Sequence, residues 1–313
     1  MTEPTTWGLC ATILAPTEDI LRFAAYHLDA GAHRLYLYLD AENPTAAAVL
    51  KGHPKIRVTT CDDAYWQNRG KRPVKHQARQ NVNATHAYNR RAECDWLIHM
   101  DVDEFLVSAR PVAALLGELP HDVLTARSRP MEALAGDGTA FKGFVPPGPK
   151  RDVIVQSLYP IYGAYVKGGF MSHVAGKLFV RTGLPDVTVR IHNTFQGDTM
   201  NPAEVELEQI ELAHVHIKSW ATWLAAYRYR LKHGSYRAEL APSRAQANNG
   251  MNLHALLNQI EAETGQDGLR AFFAEVCADT PQLRARLQDH GLLRQVRLDL
   301  DAKVAQHFPN ATS

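Results

Sequence analysis

The stretch Trp96-Leu97-Ile98-His99-Met100-Asp101-Val102-Asp103-Glu104-Phe105-Leu106 decides how this chain is read. Its first part is a short apolar run of the kind shown by a strand buried on both faces. It ends abruptly in three carboxylates, Asp101, Asp103 and Glu104. Residues two apart on an extended strand project from one face, so Asp101 and Asp103 are expected to converge on one point. Paired carboxylates with room for water and phosphate oxygens suit Mg²⁺ or Mn²⁺. The carboxyl ends of the strands are also where open α/β sheets bind ligands. The competing reading is a solvated turn, or the cap and first turn of a helix, where carboxylates also belong. Against a simple turn stands the immediate return to Phe105-Leu106-Val107, because carboxylates between two apolar runs need a counter-charge.

Upstream, apolar runs alternate with helical patterns. Trp7 to Leu14 reads as a strand, and Pro16-Thr17-Glu18-Asp19 as a helix start. Ile20, Leu21, Ala24, Ala25 and Leu28 recur at helical spacing, with Gly31 where a C-terminal cap belongs. His33 to Leu39 is a second strand ending in Asp40, and Pro44 to Lys51 a short helix. Ile56 to Thr60 is a third strand ending in Cys61-Asp62-Asp63, and a polar helix spans about Pro73 to Ala92. This alternation implies a parallel, doubly wound α/β layer. Three strands then end in acids at one edge (Asp40, Asp62/Asp63 and Asp101/Asp103), as a site for a polar ligand and a cation requires.

The second half is expected to be mixed. Val123 to Arg129, Lys177 to Arg181, Val187 to His192 and Glu206 to Lys218 read as strands, and the Gly/Pro-rich residues 136–151 as a long loop or lid. Ser219 opens a helix whose Trp220, Trp223, Leu224, Tyr227 and Leu231 form one stripe. Core packing is the simpler use of that stripe and sugar stacking the alternative. After a polar link at Pro242 to Gly250, stripes at Leu253, Leu256, Leu257, Ile260 and at Leu269, Phe272, Phe273, Val276 predict a helical tail. The expected organisation is a domain over 1–240, with halves of about 1–110 and 111–240, and a helical extension over 251–313.

The bulk composition excludes several classes. The chain has 313 residues, 45% hydrophobic and 21% charged, with a formal net charge of +1, so no global field recruits nucleic acid or an anionic membrane. Cys10, Cys61, Cys94 and Cys277 form no Cys-x-x-Cys pair, which argues against a disulfide framework and for a reducing compartment. No signal-peptide pattern opens the sequence, and no stretch reaches the roughly 18 apolar residues of a membrane span. A cytoplasmic location is expected. Gly-x-Gly-x-x-Gly, P-loop and Gly-x-Ser-x-Gly patterns are missing, which disfavours those phosphate sites and a serine triad.

Other candidates stand with their simpler readings. His214 and His216 lie two apart on an expected strand; one could complete the coordination of a cation held by Asp103, or both could be hydrogen-bonded strand residues. His173, Lys177 and His192 are further candidates, Lys177 as a neutraliser of phosphate. Arg69, Lys71, Arg72, Lys75 and Arg79 could receive a diphosphate or an anionic acceptor, or form a solvated helix face.

The residues Trp96 to Leu106, with their Asp-Val-Asp-Glu-Phe-Leu ending, resemble the metal-binding segment of family 2-like glycosyltransferases with the GT-A fold. Glu18, Tyr26-His27, Gly31 and Asp40 are similar to that group's opening. Gly176-Lys177-Leu178-Phe179-Val180-Arg181, His192 and His214-Val215-His216-Ile217-Lys218-Ser219 fit its second half. The resemblance covers about residues 8 to 233. It implies a GT-A-like, mostly parallel sheet and a transferase that moves a sugar from a nucleoside-diphosphate sugar to a carbohydrate or lipid-linked hydroxyl acceptor. Polysaccharide or glycolipid assembly is the implied setting, and Mn²⁺ or Mg²⁺ the cofactor. Asp101 and Asp103 are implied metal ligands with His214 as the third; Glu18, Asp40, Asp62 and Asp101 would surround the nucleoside, and Lys177 the phosphates. The group's Lys-Asn-Glu after the first strand is Pro16-Thr17-Glu18 here, and no residue is singled out as the catalytic base. The alternatives are a metal-dependent phosphohydrolase or nucleotidyltransferase, and a non-catalytic nucleotide-sugar-binding protein.

Overall fold

A computed structural model describes residues 4–90, 93–233 and 253–311. The strands in chain order are β1 (Trp7–Ile13), β2 (Arg34–Leu39), β3 (Ile56–Thr60), β4 (Trp96–His99), β5 (Glu104–Val107), β6 (Thr125–Ala133), β7 (Ala140–Lys142), β8 (Lys177–Arg181), β9 (Val187–Val189), β10 (Thr194–Gln196), β11 (Thr199–Met200), β12 (Glu204–His214) and β13 (Leu293–Gln295). The described residues group into two compact units. One is drawn from Met1–Pro130, Ala175–Ala213 and Leu298–Ser313, the other from Met131–Val174 and His214–Arg297.

In the first unit β3, β2, β1 and β4 are neighbours in that order and run parallel. β8 extends the sheet antiparallel to β4, and β6 pairs antiparallel with β8. The α/β class expected from the alternating pattern is what the chain forms. Both faces of β1, β2 and β4 are covered, which is why β2 is apolar or aromatic at every position after Arg34. Tyr36 and Tyr38 face a cluster with Cys10, Leu97, Ala84, Ala87 and Tyr88. Helix Thr17–Asp29 buries Ile20, Leu21, Ala24, Ala25 and Leu28, the stripe that its spacing predicts, and Phe23, Tyr26 and His27 besides. Helix Pro44–Lys51 has Pro44 in its first turn, and the Asn43 side chain accepts the Ala46 N–H at 3.0 Å. Near the chain's end, helix Leu300–His307 docks on the same unit, where Arg22 donates to Asp301 at 2.6 Å and Lys303 pairs with Asp29.

Two expectations for this unit are corrected. The acidic run does not lie on an extended strand. β4 stops at His99; the Glu104 N–H bonds the Asp101 carbonyl at 3.1 Å, and the Asp101 N–H bonds the Glu104 carboxylate at 2.8 Å. These reciprocal bonds close a turn over Asp101-Val102-Asp103 before β5 begins. Asp101 and Asp103 therefore lie in the turn between β4 and β5 and share no strand face. The expected strand Val187 to His192 is likewise only β9, the first strand of an antiparallel β9-β10-β11 meander.

In the second unit the end of β6 pairs antiparallel with β7, and β7 with β13. Residues 136–151 thus contain a strand, and the C-terminal region, though mostly helical, contributes one as well. Lys142 hides this in the sequence, because a charged residue among glycines and prolines reads as loop. The core gathers Trp223, Tyr227, Leu257, Leu269, Phe272 and Val276. The helix Trp220–His233 therefore turns its aromatic stripe inward, with Trp223 and Tyr227 rings 5.7 Å apart and stacked. The two tail stripes lie on helix Leu253–Val276, broken at Gly265, whose φ of 63° and ψ of −146° suit glycine alone. The link at Pro242 to Gly250 lies outside the described residues.

Phe272 is fully buried while Val153 is 70% exposed. Phe272→Ala should lower the unfolding free energy by about 3–5 kcal/mol in a denaturant titration. Val153→Ala should stay within about 0.5 kcal/mol of the parent protein.

Candidate active site at the carboxyl edge of the parallel sheet

In the order β3-β2-β1-β4 the chain steps outward from β1 to β2 and β3 on one side, then to β4 on the other side of β1, and a ligand crevice opens at the carboxyl end of such a switch point. Backbone bonds run to that edge: Asp40 N–H to Ile13 O at 2.8 Å, Cys61 N–H to Leu39 O at 2.8 Å, and Met100 N–H to Cys10 O at 3.0 Å. Asp40, Asp62 and Asp101 follow the last residues of this ladder, as the sequence pattern requires.

The centre of the edge is an ion cluster. Lys177 opens β8 and is fully buried; its Nζ lies 2.6 Å from Asp101 Oδ2 and 3.3 Å from Glu104 Oε2. Gln80 on helix His76–Asn89 donates to the other Asp101 oxygen. Burial alone would lower the Lys177 pKa, but the two carboxylates override it and raise the value, so the ammonium stays charged. Gly176 makes this approach feasible: its φ is +71°, and a Cβ there would come within 2.1 Å of the Ser128 carbonyl oxygen. Asp103 sits half-buried in the same turn. His99 at the end of β4 is driven down to about 3 by burial and by the nearby Lys177 charge, so its ring is neutral at ordinary pH.

The remaining expected residues have local partners. The Asp40 side chain is wholly shielded, with Arg72 Nη2 at 3.1 Å from Oδ1, and Arg79 Nε at 2.8 Å and His76 Nδ1 at 3.1 Å from Oδ2. Part of the basic cluster is therefore a counter-charge for Asp40 rather than a solvated face. Asp62 caps the short helix Asp63–Gln67, accepting the Tyr65 N–H at 2.8 Å. Glu18 is exposed and pairs with Arg22 one turn along its helix, at 2.5 Å. The edge thus brings Asp101, Glu104 and Lys177 into one cluster. Asp40 has its own, and Glu18 and Asp62 serve helix starts.

His214 ends β12 and belongs to the second unit, where His173 and His216 lie beside it at ring-centroid distances of 5.4 and 4.6 Å. Ligand nitrogens of His173 and His214 lie within 4.8 Å of one another. β12 stops at His214, so His216 lies past the strand on which the sequence placed it. Sequence reasoning missed Gln80, Glu132 and Lys142. For the last two the available signal was a pair of opposite charges, Glu132 between Met131 and Ala133 and Lys142 after Ala140-Phe141, each next to apolar residues.

No family model matches the chain, and no curated protein matches it. Among solved structures it is similar to HddC from Yersinia pseudotuberculosis, with 11% identity, 71% of this chain and 97% of that one covered, and a TM-score of 0.37. A mycobacterial protein matches with 16% identity over 59% of this chain and 57% of its own, at a TM-score of 0.33. The bifunctional glycosyltransferase WbbM in its apo form matches with 12% identity over 57% of this chain and 32% of its own, at 0.28. With TM-scores below 0.5, none of these likenesses bears on the reaction.

The Asp40 cluster makes a pH prediction. Burial would raise the Asp40 carboxyl, but His76 and Arg79 override it and hold the carboxyl below the usual carboxylate range. Its contribution to stability is therefore complete above the unfolded pKa of about 4 and is lost as pH falls through the lower folded value. Asp40→Asn should cost about 2 kcal/mol at neutral pH. The gap to the parent protein should narrow in denaturant titrations below about pH 4; a gap independent of pH would sink this account of the cluster.

Proposed function

We propose that the protein is a metal-dependent glycosyltransferase that moves a sugar from a nucleoside-diphosphate sugar to a hydroxyl on a carbohydrate or lipid-linked acceptor. The observation that carries this reading is the turn Asp101-Val102-Asp103-Glu104 at the carboxyl end of β4, organised by a buried ammonium beside the point where strand order reverses. Three carboxylates within four residues are the hard-oxygen donors that Mn²⁺ or Mg²⁺ takes. Asp101 and Asp103 are the proposed ligands, with His214 the third as the resemblance implies. A divalent cation bound there supplies positive charge against the negative charge that develops on a departing nucleoside diphosphate. Lys177, bonded to Asp101 and Glu104, holds the turn in one orientation. Asp40, Asp62 and Glu18 are proposed neighbours of the nucleoside on the same edge.

Calorimetry with UDP and with GDP, each with and without Mn²⁺, tests this on the parent protein and on Asp103→Ala. One nucleotide should bind only with Mn²⁺, and Asp103→Ala should weaken that binding at least tenfold, about 1.4 kcal/mol. Binding that ignores both Mn²⁺ and Asp103 would favour a non-catalytic binding protein. Failure of both nucleotides to bind would overturn the transferase reading.

A further inference from the structure

The second unit contains a fully buried ion pair, Glu132 with Lys142. Glu132 and Lys142 are directly opposite each other in the β6–β7 register, with Lys142 Nζ 2.5 Å from Glu132 Oε1. Both side chains are essentially inaccessible to solvent. Lys142 also donates to the Val276 carbonyl at 3.0 Å. Burial would raise the Glu132 carboxyl and lower the Lys142 ammonium; each partner reverses the shift in the other, so the pair is ionic. A buried ion pair contributes little net stability compared with an apolar pair of the same volume, and its best use is to fix one conformation.

What this pair fixes is the segment leading to His173. The Glu132 oxygens accept the Met171 N–H at 3.0 Å and the Ser172 N–H at 2.7 Å. Upstream, Gly168 and Gly169 adopt positive φ of 63° and 84°, and the Tyr159 hydroxyl donates to the Gly169 carbonyl at 2.8 Å. The backbone is therefore held on both sides of Phe170, and His173 leaves it immediately after the two amides held by Glu132. His173 is thereby set beside His214, with their ligand nitrogens within 4.8 Å. Two nitrogens on one first-row ion, each about 2 Å from it, are about 3–4 Å apart, within that bound.

We infer that His173 is a second imidazole ligand beside His214, and that Glu132 is the positioning residue that aims it. This rests on the reading of His214 as a metal ligand. The consequence is selectivity: imidazole nitrogen suits the later transition ions, whereas Mg²⁺ takes oxygen, so a paired-imidazole site prefers Co²⁺ to Mg²⁺.

The test is direct titration of the full chain with Co²⁺, followed by its visible absorption, alongside thermal shifts with Mn²⁺ and Mg²⁺. The parent protein should show Co²⁺ bands of nitrogen ligation. His173→Ala should weaken Co²⁺ at least tenfold while changing Mg²⁺ affinity less than twofold. Glu132→Gln retains the side chain's shape but lacks the full acceptor set; it should weaken Co²⁺ severalfold and alter the bands, which a purely structural role would not do. Circular dichroism checks folding, and His173→Asn replaces His173→Ala should the latter not fold. Parent-like Co²⁺ affinity and bands in a folded His173 variant would overturn the inference. Should UDP and GDP both fail to bind while His173→Ala still loses Co²⁺, the transferase reading fails and the imidazole site stands. Mn²⁺-dependent nucleotide binding with no effect of His173→Ala is the reverse result.

Discussion

A buried ammonium held by two carboxylates is the constraint on which the candidate site depends. Removing Lys177 from water is unfavourable by itself, and Asp101 and Glu104 keep it charged there. The same contacts explain why β4 ends where it does. Glu104 bonds both Lys177 and the Asp101 N–H, so the chain turns instead of extending, and the carboxylates gather in a turn rather than along a strand. Lys177 reaches them because β8 runs antiparallel to β4, and because Gly176 lets the backbone pass against the Ser128 carbonyl.

Asp40 repeats this logic with the signs exchanged. Its carboxylate is the shielded member, and Arg72, His76 and Arg79 come to it from the segment that follows β3. Arg79 also bonds the carbonyls of Pro73 and Val74, each at 2.9 Å, so one guanidinium ties that segment to the sheet edge. Part of a basic cluster that looks like a solvated helix face in sequence, Arg72 and Arg79, is thus fixed at the edge. Glu132 and Lys142 form a third buried pair, set by cross-strand register; Glu132 accepts two backbone N–H groups and Lys142 donates to a backbone carbonyl.

Carboxylates at a strand-order reversal suit a cation and a phosphate-bearing ligand. Paired imidazoles suit a softer cation than Mg²⁺. Both readings depend on charged groups kept ionised inside the protein, where an unpaired charge could not persist.

The sequence by itself determined the α/β layer, because burial on two faces leaves apolar runs and burial on one face of a helix leaves a stripe. Trp7–Ile13, Ile56–Thr60, Pro44–Lys51 and the aromatic helix after Ser219 were legible for that reason. So was the acidic edge, since a strand's last residue and the one after it are fixed by local pattern. Only the tertiary structure decided that Asp101 to Glu104 turn, that β7 crosses a Gly/Pro-rich stretch, that β13 rises from a helical tail, and that Glu132 faces Lys142. Each of these depends on a partner distant in sequence. A charge reads as solvent-facing until the opposite charge that allows its burial is in place.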